Sequence, residues 1–193
     1  MEKKMKKLKT TLFIMTFICS ISLYAQTRNI EGIDFPDELS IKDETFVLNG
    51  GGLREKLGFL DLYVGGLYLS ANSSDANQIV MSGNPMAIRI VIASRLVSRE
   101  RFIEALEEGF KNTTVGKYTS MQIESFKKYL SDPFEPGDEI ILVYSSAEEI
   151  TYLYKNTQAR GEFSGLPFKQ ALFGIWLGEK PAQESLKQEM LGL

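Results

Sequence analysis

The chain has 193 residues, 44% of them hydrophobic and 24% charged, which is the usual composition of one globular domain with a sizeable core. It contains no histidine and a single cysteine, Cys19. The absence of histidine excludes Ser-His-Asp triads, histidine-ligated zinc and imidazole proton shuttles. Carboxylate, lysine, tyrosine or arginine chemistry remains, as does a protein without catalytic activity, and we expect no metal or other cofactor.

The amino-terminal segment has the pattern of a secretory signal peptide. Residues 1–10 are basic, and residues 11–23 form an apolar run that is too short to span a bilayer comfortably. Ala25 completes a plausible cleavage site. We therefore expect a signal peptide over residues 1–25 and one domain over residues 26–193, exported to a bacterial periplasm or secreted, with no membrane span after cleavage.

Cleavage would make the mature chain strongly acidic. Of the 22 basic and 25 acidic residues, 17 and 24 follow residue 25, which gives a net charge of −7. An acidic exported domain is a poor candidate for binding nucleic acid or anionic membrane surfaces. Cleavage also removes Cys19, so that core packing without disulfides must hold the fold. A lipoprotein anchor through Cys19 is the alternative, although Ile18 is bulky where a small residue is required.

Hydrophobic periodicity and turn residues predict an order of strands and helices. In the first half of the chain, we expect at best an edge strand within 28–42, a strand at 45–48, a buried strand at 59–69, a short helix capped by Ser73 or Ser74 that ends at Met81, and a strand at 86–93. A helix that begins at Ser98 and an amphipathic helix at 119–130, with Met121 facing inward, should follow. The last part should form a meander of strands at 139–144, 150–154 and 159–163, an apolar helix at 168–177, and a final exposed helix at 181–191. This order predicts an α+β domain in which an antiparallel sheet carries helices on one side, with a cleft between the layers.

The stretch from Asn49 to Ser70 has the most unusual local pattern. Three consecutive glycines, Gly50 to Gly52, form either a bend or bulge, or a place where a ligand approaches the backbone closely. Arg54 follows them, and the largely apolar strand after it carries one charge, Asp61, and a tyrosine, Tyr63. Arg54 and Tyr63 are therefore polar side chains within a mostly buried strand pair, and their presence there requires an explanation.

An ordered set of short motifs resembles the signature of the chalcone isomerase-like superfamily. The resemblance covers about residues 46–191 and implies an open-faced β-sandwich, with a large antiparallel sheet, a layer of helices and a ligand cleft between them. The motifs that carry it are Gly52 to Arg54, Leu62 to Leu69 (LYVGGLYL), Ser98 to Phe102 (SRERF), Glu108 to Phe110 (EGF), Pro136 to Asp138 (PGD) and Phe168 to Gly178 (FKQALFGIWLG).

Plant chalcone isomerases are one branch of this superfamily. They use an arginine to hold the developing oxyanion, and a threonine, a tyrosine and an asparagine to arrange water and substrate. The resemblance matches the arginine with Arg54. It places Tyr63 at the threonine, Phe102 at the tyrosine and Gly109 at the asparagine. With one of four polar groups retained, the oxyanion stabilisation on which the reaction depends would be badly depleted.

The other branch comprises fatty-acid-binding proteins without known isomerase activity. In these an arginine and a tyrosine clamp a carboxylate, and an apolar tunnel holds the acyl chain. Arg54 and Tyr63 match that pair, with Phe102 and Gly109 as pocket wall. A guanidinium binds a carboxylate in a bidentate fork, and a phenol donates a further hydrogen bond. The resemblance therefore implies an exported, non-catalytic protein whose partner is a small molecule, a fatty acid or a similar apolar carboxylic acid.

Three alternatives remain open. The first is an isomerase (an intramolecular lyase) of the chalcone isomerase type, with an unknown substrate and Arg54 as electrostatic catalyst. The second is a structural envelope protein whose cleft is filled by its own side chains. The third is an internal ion pair between Arg54 and Asp61, which would close the site. Other notable side chains are interpreted as packing or surface residues, namely Arg89, Tyr68 and Trp176.

Overall fold

A computed structural model describes residues 26–56 and 60–193, and of Leu60 and Asp61 it describes the backbone alone. The predicted signal peptide and the alternative anchor at Cys19 lie outside these residues. Within the described ranges, no helix is both long enough and apolar enough to cross a membrane. The strands are β1 (Thr27–Ile30), β2 (Ile33–Pro36), β3 (Glu38–Ile41), β4 (Glu44–Lys56), β5 (Leu60–Leu69), β6 (Met86–Ile92), β7 (Glu139–Ser145), β8 (Ile150–Lys155) and β9 (Gln158–Ser164). The helices are α1 (Ala76–Met81), α2 (Arg99–Asn112), α3 (Ser120–Tyr129), α4 (Leu166–Leu177) and α5 (Glu184–Met190).

One antiparallel sheet organises the domain, with β3 to β9 side by side in chain order and β1 paired with β2 in a separate hairpin. Successive side chains of a strand point to opposite faces, so they enter different hydrophobic clusters. In β5, Leu67 packs with residues of the helices, whereas Tyr68 packs with Phe35 of the hairpin. The helices lie on one face and the hairpin on the other, which confirms the predicted α+β open-faced sandwich.

Residues 28–42 contain more structure than the sequence pattern predicted. Instead of at most one edge strand, this stretch forms β1, β2 and β3. Each is four residues long, too short for a clear alternation of polar and apolar side chains. Phe35 is completely buried in the cluster beneath the hairpin, and this tertiary contact stabilises strands that local pattern does not specify.

The helix starts follow from capping chemistry. Ser98 caps α2, because its hydroxyl accepts a hydrogen bond from the backbone nitrogen of Arg101. Thr119 and Gln122 form a reciprocal capping box at the start of α3. Both starts confirm the predictions from sequence, and the apolar side chains of α2 are buried in the cluster that lies between the sheet and the helices.

Two local predictions about helices were wrong. The cap of α1 is Asp75 rather than Ser73 or Ser74, because the Asp75 carboxylate accepts from the backbone nitrogen of Gln78 at 2.9 Å. Met121 was expected to face inward, yet it is 78% exposed. It lies in the first turn of α3, before the stripe of buried residues begins at Ile123.

The glycines before Arg54 allow the carboxyl-terminal helix to pack directly on the sheet. A Cβ atom at Gly50 would lie 2.2 Å from the backbone oxygen of Glu189, and one at Gly52 would overlap the Glu189 side chain. The final helix was predicted to be exposed, and this was wrong: Leu186 and Met190 of α5 are buried. The register also shifts just before Gly50, as a bulge requires. The glycines thus combine a bulge with close approach of the chain's own helix.

We expect Gly50→Ala to destabilise the domain by about 1–3 kcal/mol, because the new methyl group meets backbone atoms of α5 that cannot rotate away. Urea unfolding followed by circular dichroism measures this change. Gly83→Ala is the matched control, since nothing lies within 4 Å of a Cβ at Gly83. Equal stabilities for the two variants would contradict the packing role of Gly50.

Candidate functional site

A cavity of about 250 Å³ lies where β4 and β5 meet α2 and the end of α4. It is located on the face of the sheet that carries the helices, at the cleft predicted from the order of elements. Its lining residues are Arg54, Leu62, Tyr63, Phe102, Ala105, Leu106, Glu108, Gly109, Asn112, Ile175, Trp176, Lys180, Pro181 and Ala182.

The structure brings together all four residues named from the sequence. Arg54 and Tyr63 are direct cross-strand partners in the pairing of β4 with β5, and both line the cavity. Phe102 enters from the first turn of α2, and its ring meets the Tyr63 ring edge-to-face at a centroid distance of 6.4 Å. Gly109 lies two turns further along α2 and forms part of the same wall.

Arg54 is held by a hydrogen-bond network with α5. Its Nη1 atom donates to the backbone oxygen of Glu55 at 2.5 Å and to Oε1 of Gln183 at 2.9 Å. Gln183, the amino-terminal cap residue of α5, also accepts from the backbone nitrogen of Glu55 and donates to the backbone oxygen of Leu53. Gln183 therefore fixes the guanidinium relative to β4. Nothing in the sequence pattern indicated this role, because 129 positions separate the two residues.

The ion pair with Arg54 that would close the site requires the side chain of Asp61, which lies outside the described part of the structure. In the backbone register, Asp61 is the partner of Glu55, while Tyr63 is the partner of Arg54. Among the side chains that the structure does describe, both acceptors of Arg54 are uncharged oxygens. An ion pair between Arg54 and Asp61 therefore stays a prediction.

The Tyr63 hydroxyl is oriented by the indole of Trp176. The Trp176 Nε1 atom donates to the Tyr63 oxygen at 2.9 Å, and both side chains are buried. Because an indole N–H can only donate, the phenol accepts from it, and its own hydrogen is left for another acceptor. Burial raises the pKa of Tyr63, although the Trp176 hydrogen bond and the positive charge of Arg54 oppose this change. Tyr63 is therefore a protonated donor at neutral pH.

Trp176 has a larger role at the cavity than the sequence indicated. It was interpreted as a packing or surface residue, and it is indeed buried, but it also lines the cavity and bonds to Tyr63. Its position in an almost wholly apolar helix gave no sign of a polar contact. Arg89 and Tyr68 do match that interpretation: Arg89 pairs with Glu139, and Tyr68 is buried beneath the hairpin.

Gly109 brings α2 and α4 into close contact. A Cβ atom there would lie 2.5 Å from Cγ2 of Ile175, a buried residue of α4 that also lines the cavity. The absence of a side chain at Gly109 therefore serves close packing of the two helices. Gly109 is thus a wall residue whose missing side chain is replaced by Ile175.

The cavity differs in character at its two ends. Near β5 it is enclosed by Tyr63, Phe102 and Trp176, all buried. At the carboxyl-terminal end of α2 it is bordered by exposed polar residues, Asn112 and Lys180 among them. Arg54 and Tyr63 both offer donors, so the site is suited to a group that only accepts hydrogen bonds, such as a carboxylate. No cluster of acidic or sulfur side chains that could hold a metal is present in the described residues.

Comparison with known proteins agrees with the resemblance seen in the sequence. A family model described as chalcone isomerase-like matches residues 27–192. Among solved structures, the chain is similar to a fatty-acid-binding protein of Arabidopsis thaliana, with 19% sequence identity, a TM-score of 0.66, and coverage of 83% of this chain and 92% of that one. At this identity the similarity shows the fold. Comparison with curated proteins finds no match.

Proposed function

Because the chain belongs to the chalcone isomerase-like family, we propose that its cavity binds a fatty acid or a similar small apolar carboxylic acid without catalysing a reaction. One observation carries the proposal: Arg54 and Tyr63 are cross-strand partners that present donors at the same cavity, beside aromatic walls. The description of the Arabidopsis neighbour as a fatty-acid-binding protein supports it.

The chemistry of the two donors matches a carboxylate. Both hydrogen bonds that Arg54 makes with described residues leave from Nη1, and a guanidinium has further N–H groups on Nη2 and Nε. A carboxylate accepts two such bonds in a fork and a third from a phenol. Tyr63 offers that third bond because Trp176 already occupies its acceptor side. Hydrogen bonds to a charged group contribute about 1.5–3 kcal/mol each, enough to select an acid over its neutral ester.

The proposal is tested by titrating purified protein with octanoate and with its methyl ester. Trp176 is the only tryptophan in the chain and lines the cavity, so its fluorescence reports occupancy directly. We expect saturable binding of octanoate and at least tenfold weaker binding of the ester. Protein that ignores octanoate, and that releases no acid on solvent extraction and mass spectrometry, would refute the proposal. Conversion of a chalcone to a flavanone above the buffer rate would support the isomerase alternative instead.

We expect Tyr63→Phe to lower both affinity and stability. The affinity for octanoate should fall about tenfold, because one hydrogen bond to a charged group is lost. The free energy of unfolding should fall by about 1–3 kcal/mol, because the buried Trp176 N–H loses its acceptor. Calorimetric titration and urea unfolding measure the two effects.

Tyr68→Phe is the matched control for this variant. Tyr68 lies on the same strand but on the opposite face, where its hydroxyl donates to the backbone oxygen of Pro36 at 2.9 Å. Its loss should reduce stability while the affinity for octanoate remains that of the wild type. An equal loss of affinity in both variants would contradict a direct contact between Tyr63 and the ligand.

We also propose that the protein is exported and acts outside the cytoplasm. The basic and apolar leader over residues 1–25 supports this proposal. Expression of the full chain in a Gram-negative host, followed by fractionation and mass measurement, tests it. We expect a periplasmic protein that begins at Gln26. A cytoplasmic protein of full length, or a membrane-bound form modified at Cys19, would contradict cleavage after Ala25.

A further inference from the structure

We propose that the ligand is a compact acid of roughly ten carbons or fewer rather than a long-chain fatty acid, given roughly 25 Å³ of cavity for each carbon, the ratio at which a cavity of about 150 Å³ binds benzene. This inference rests on the proposed function and adds the size class of the ligand. Three features of the cavity carry it: its volume, the aromatic side chains that close its inner end, and the exposed polar residues at its outer end.

The volume sets the first limit. The cavity measures about 250 Å³. Pockets that enclose a drug-sized ligand usually measure about 300–1,000 Å³, so this one lies just below the usual range. A chain of sixteen carbons needs roughly 400 Å³ on the same scale, well above the available space.

The inner end is closed by aromatic packing. Phe102 lines the cavity beside Tyr63, and behind it lies Phe134, whose ring meets that of Phe102 edge-to-face at 5.2 Å. Both phenylalanines are less than 10% exposed. Along the side of the cavity, Ile175 fills the position opposite Gly109. An acyl chain that continued inward would have to displace these side chains from the hydrophobic core.

Exposed polar and charged side chains mark the outer end of the cavity. Glu108, Asn112 and Lys180 border it, and all three are exposed. Methylene groups that extend past these residues enter water beside charged and amide groups. They gain none of the free energy that burial of a CH₂ group provides.

The test is a series of straight-chain acids from four to sixteen carbons, titrated below their micelle concentrations and followed by Trp176 fluorescence. Burial of each CH₂ should tighten binding about fourfold, the equivalent of about 0.8 kcal/mol. We expect this gain to stop at roughly eight to ten carbons, with no further tightening up to sixteen. A gain that continues to sixteen carbons would overturn the size limit and leave the proposed function intact. Absence of binding at every length would overturn the proposed function itself.

A pair of variants tests the closed inner end. The break in the series is the chain length at which affinity stops increasing. Phe102→Ala removes a ring that lines the cavity, so this break should move to longer acids by about three carbons. Phe110→Ala removes a buried ring from the same helix, outside the cavity lining, and should leave the break where it is. A break that stays in place in folded Phe102→Ala protein would overturn the assignment of Phe102 as the barrier. The wild-type series decides the size limit even if neither variant folds.

Discussion

Replacement of Arg54 by alanine is expected to weaken octanoate binding roughly a hundredfold, because removal of one partner from a close charge pair costs about 2–5 kcal/mol. Arg54 is half-buried between β4 and α5, where water screens its charge only partly. The variant should still fold, since Gln183 keeps its hydrogen bonds to the backbone of Leu53 and Glu55. Calorimetric titration measures the affinity, and urea unfolding verifies the fold.

Two further substitutions show whether the loss of affinity for octanoate is specific to the planar guanidinium donors of Arg54. Arg95→Ala removes the same charge from an exposed position outside the cavity, and its affinity should equal that of the wild type. Arg54→Lys keeps the charge but loses the planar donors, so its affinity should lie between those of the wild type and Arg54→Ala. If Arg95→Ala weakens binding as much as Arg54→Ala does, general electrostatic attraction explains the data, and the proposed clamp is wrong.

Lys169→Met should lower the free energy of unfolding by about 3 kcal/mol, since it leaves several buried carbonyl groups without donors. Lys169 is completely buried in α4. Its ammonium group donates to the backbone oxygens of Ile79 at 2.7 Å, Val80 at 2.9 Å and Ser82 at 2.9 Å, at the carboxyl-terminal end of α1. These are among the carbonyl groups that a helix cannot pair internally, and the helix dipole also favours a cation there.

Lys128→Met is the matched control, because Lys128 is an exposed lysine of α3. Its stability should stay within about 0.5 kcal/mol of the wild type. Urea unfolding at pH 7 measures both variants. Equal stability of Lys169→Met and the wild type would mean that the buried ammonium group contributes no more to the free energy of unfolding than an apolar side chain of similar length.

The buried lysine also predicts how stability depends on pH. Burial lowers the pKa of Lys169 from 10.5 to about 8. Between these values the unfolded chain binds more protons than the folded one, so the free energy of unfolding rises with pH. From pH 7 to 9.5 we expect an increase on the order of 1–2 kcal/mol in the wild type and none in Lys169→Met. Above pH 10 the buried tyrosines reverse this trend, because burial raises the pKa of Tyr63, Tyr68 and Tyr144.

Most of the fold could be predicted from local pattern. The helix starts at Ser98 and Thr119 follow from capping residues that lie within three positions of the bonds they make. The meander of β7, β8 and β9 follows from alternation and turn residues. Apart from two local errors, at the cap of α1 and at Met121, the failures were of another kind. The hairpin of β1 and β2 and the buried face of α5 depend on contacts with distant parts of the sheet, which no local pattern records.

The residues of the candidate site also fall into two groups, those that could be predicted from the sequence and those that only the folded chain brings to the site. Arg54 and Tyr63 were identified because they lie within motifs that resemble a known family, and the register of β4 and β5 makes them neighbours. Gln183 and Trp176 were missed as members of the site. They reach it from 129 and 113 positions away along the chain, through hydrogen bonds that only the folded chain creates. Lys169 was missed for the same reason, because its partners lie about 90 positions earlier.

By itself, then, the sequence determined the α+β class, the order of its elements, the family resemblance and the two donors on neighbouring strands. Those properties follow from periodicity, capping and motifs, all of which act over a few residues. The tertiary structure alone decided the size of the cavity, the orientation of the Tyr63 hydroxyl and the covering of Gly50 by α5. Each of these depends on how side chains from separate elements fill one space, a property that packing creates and local pattern does not contain.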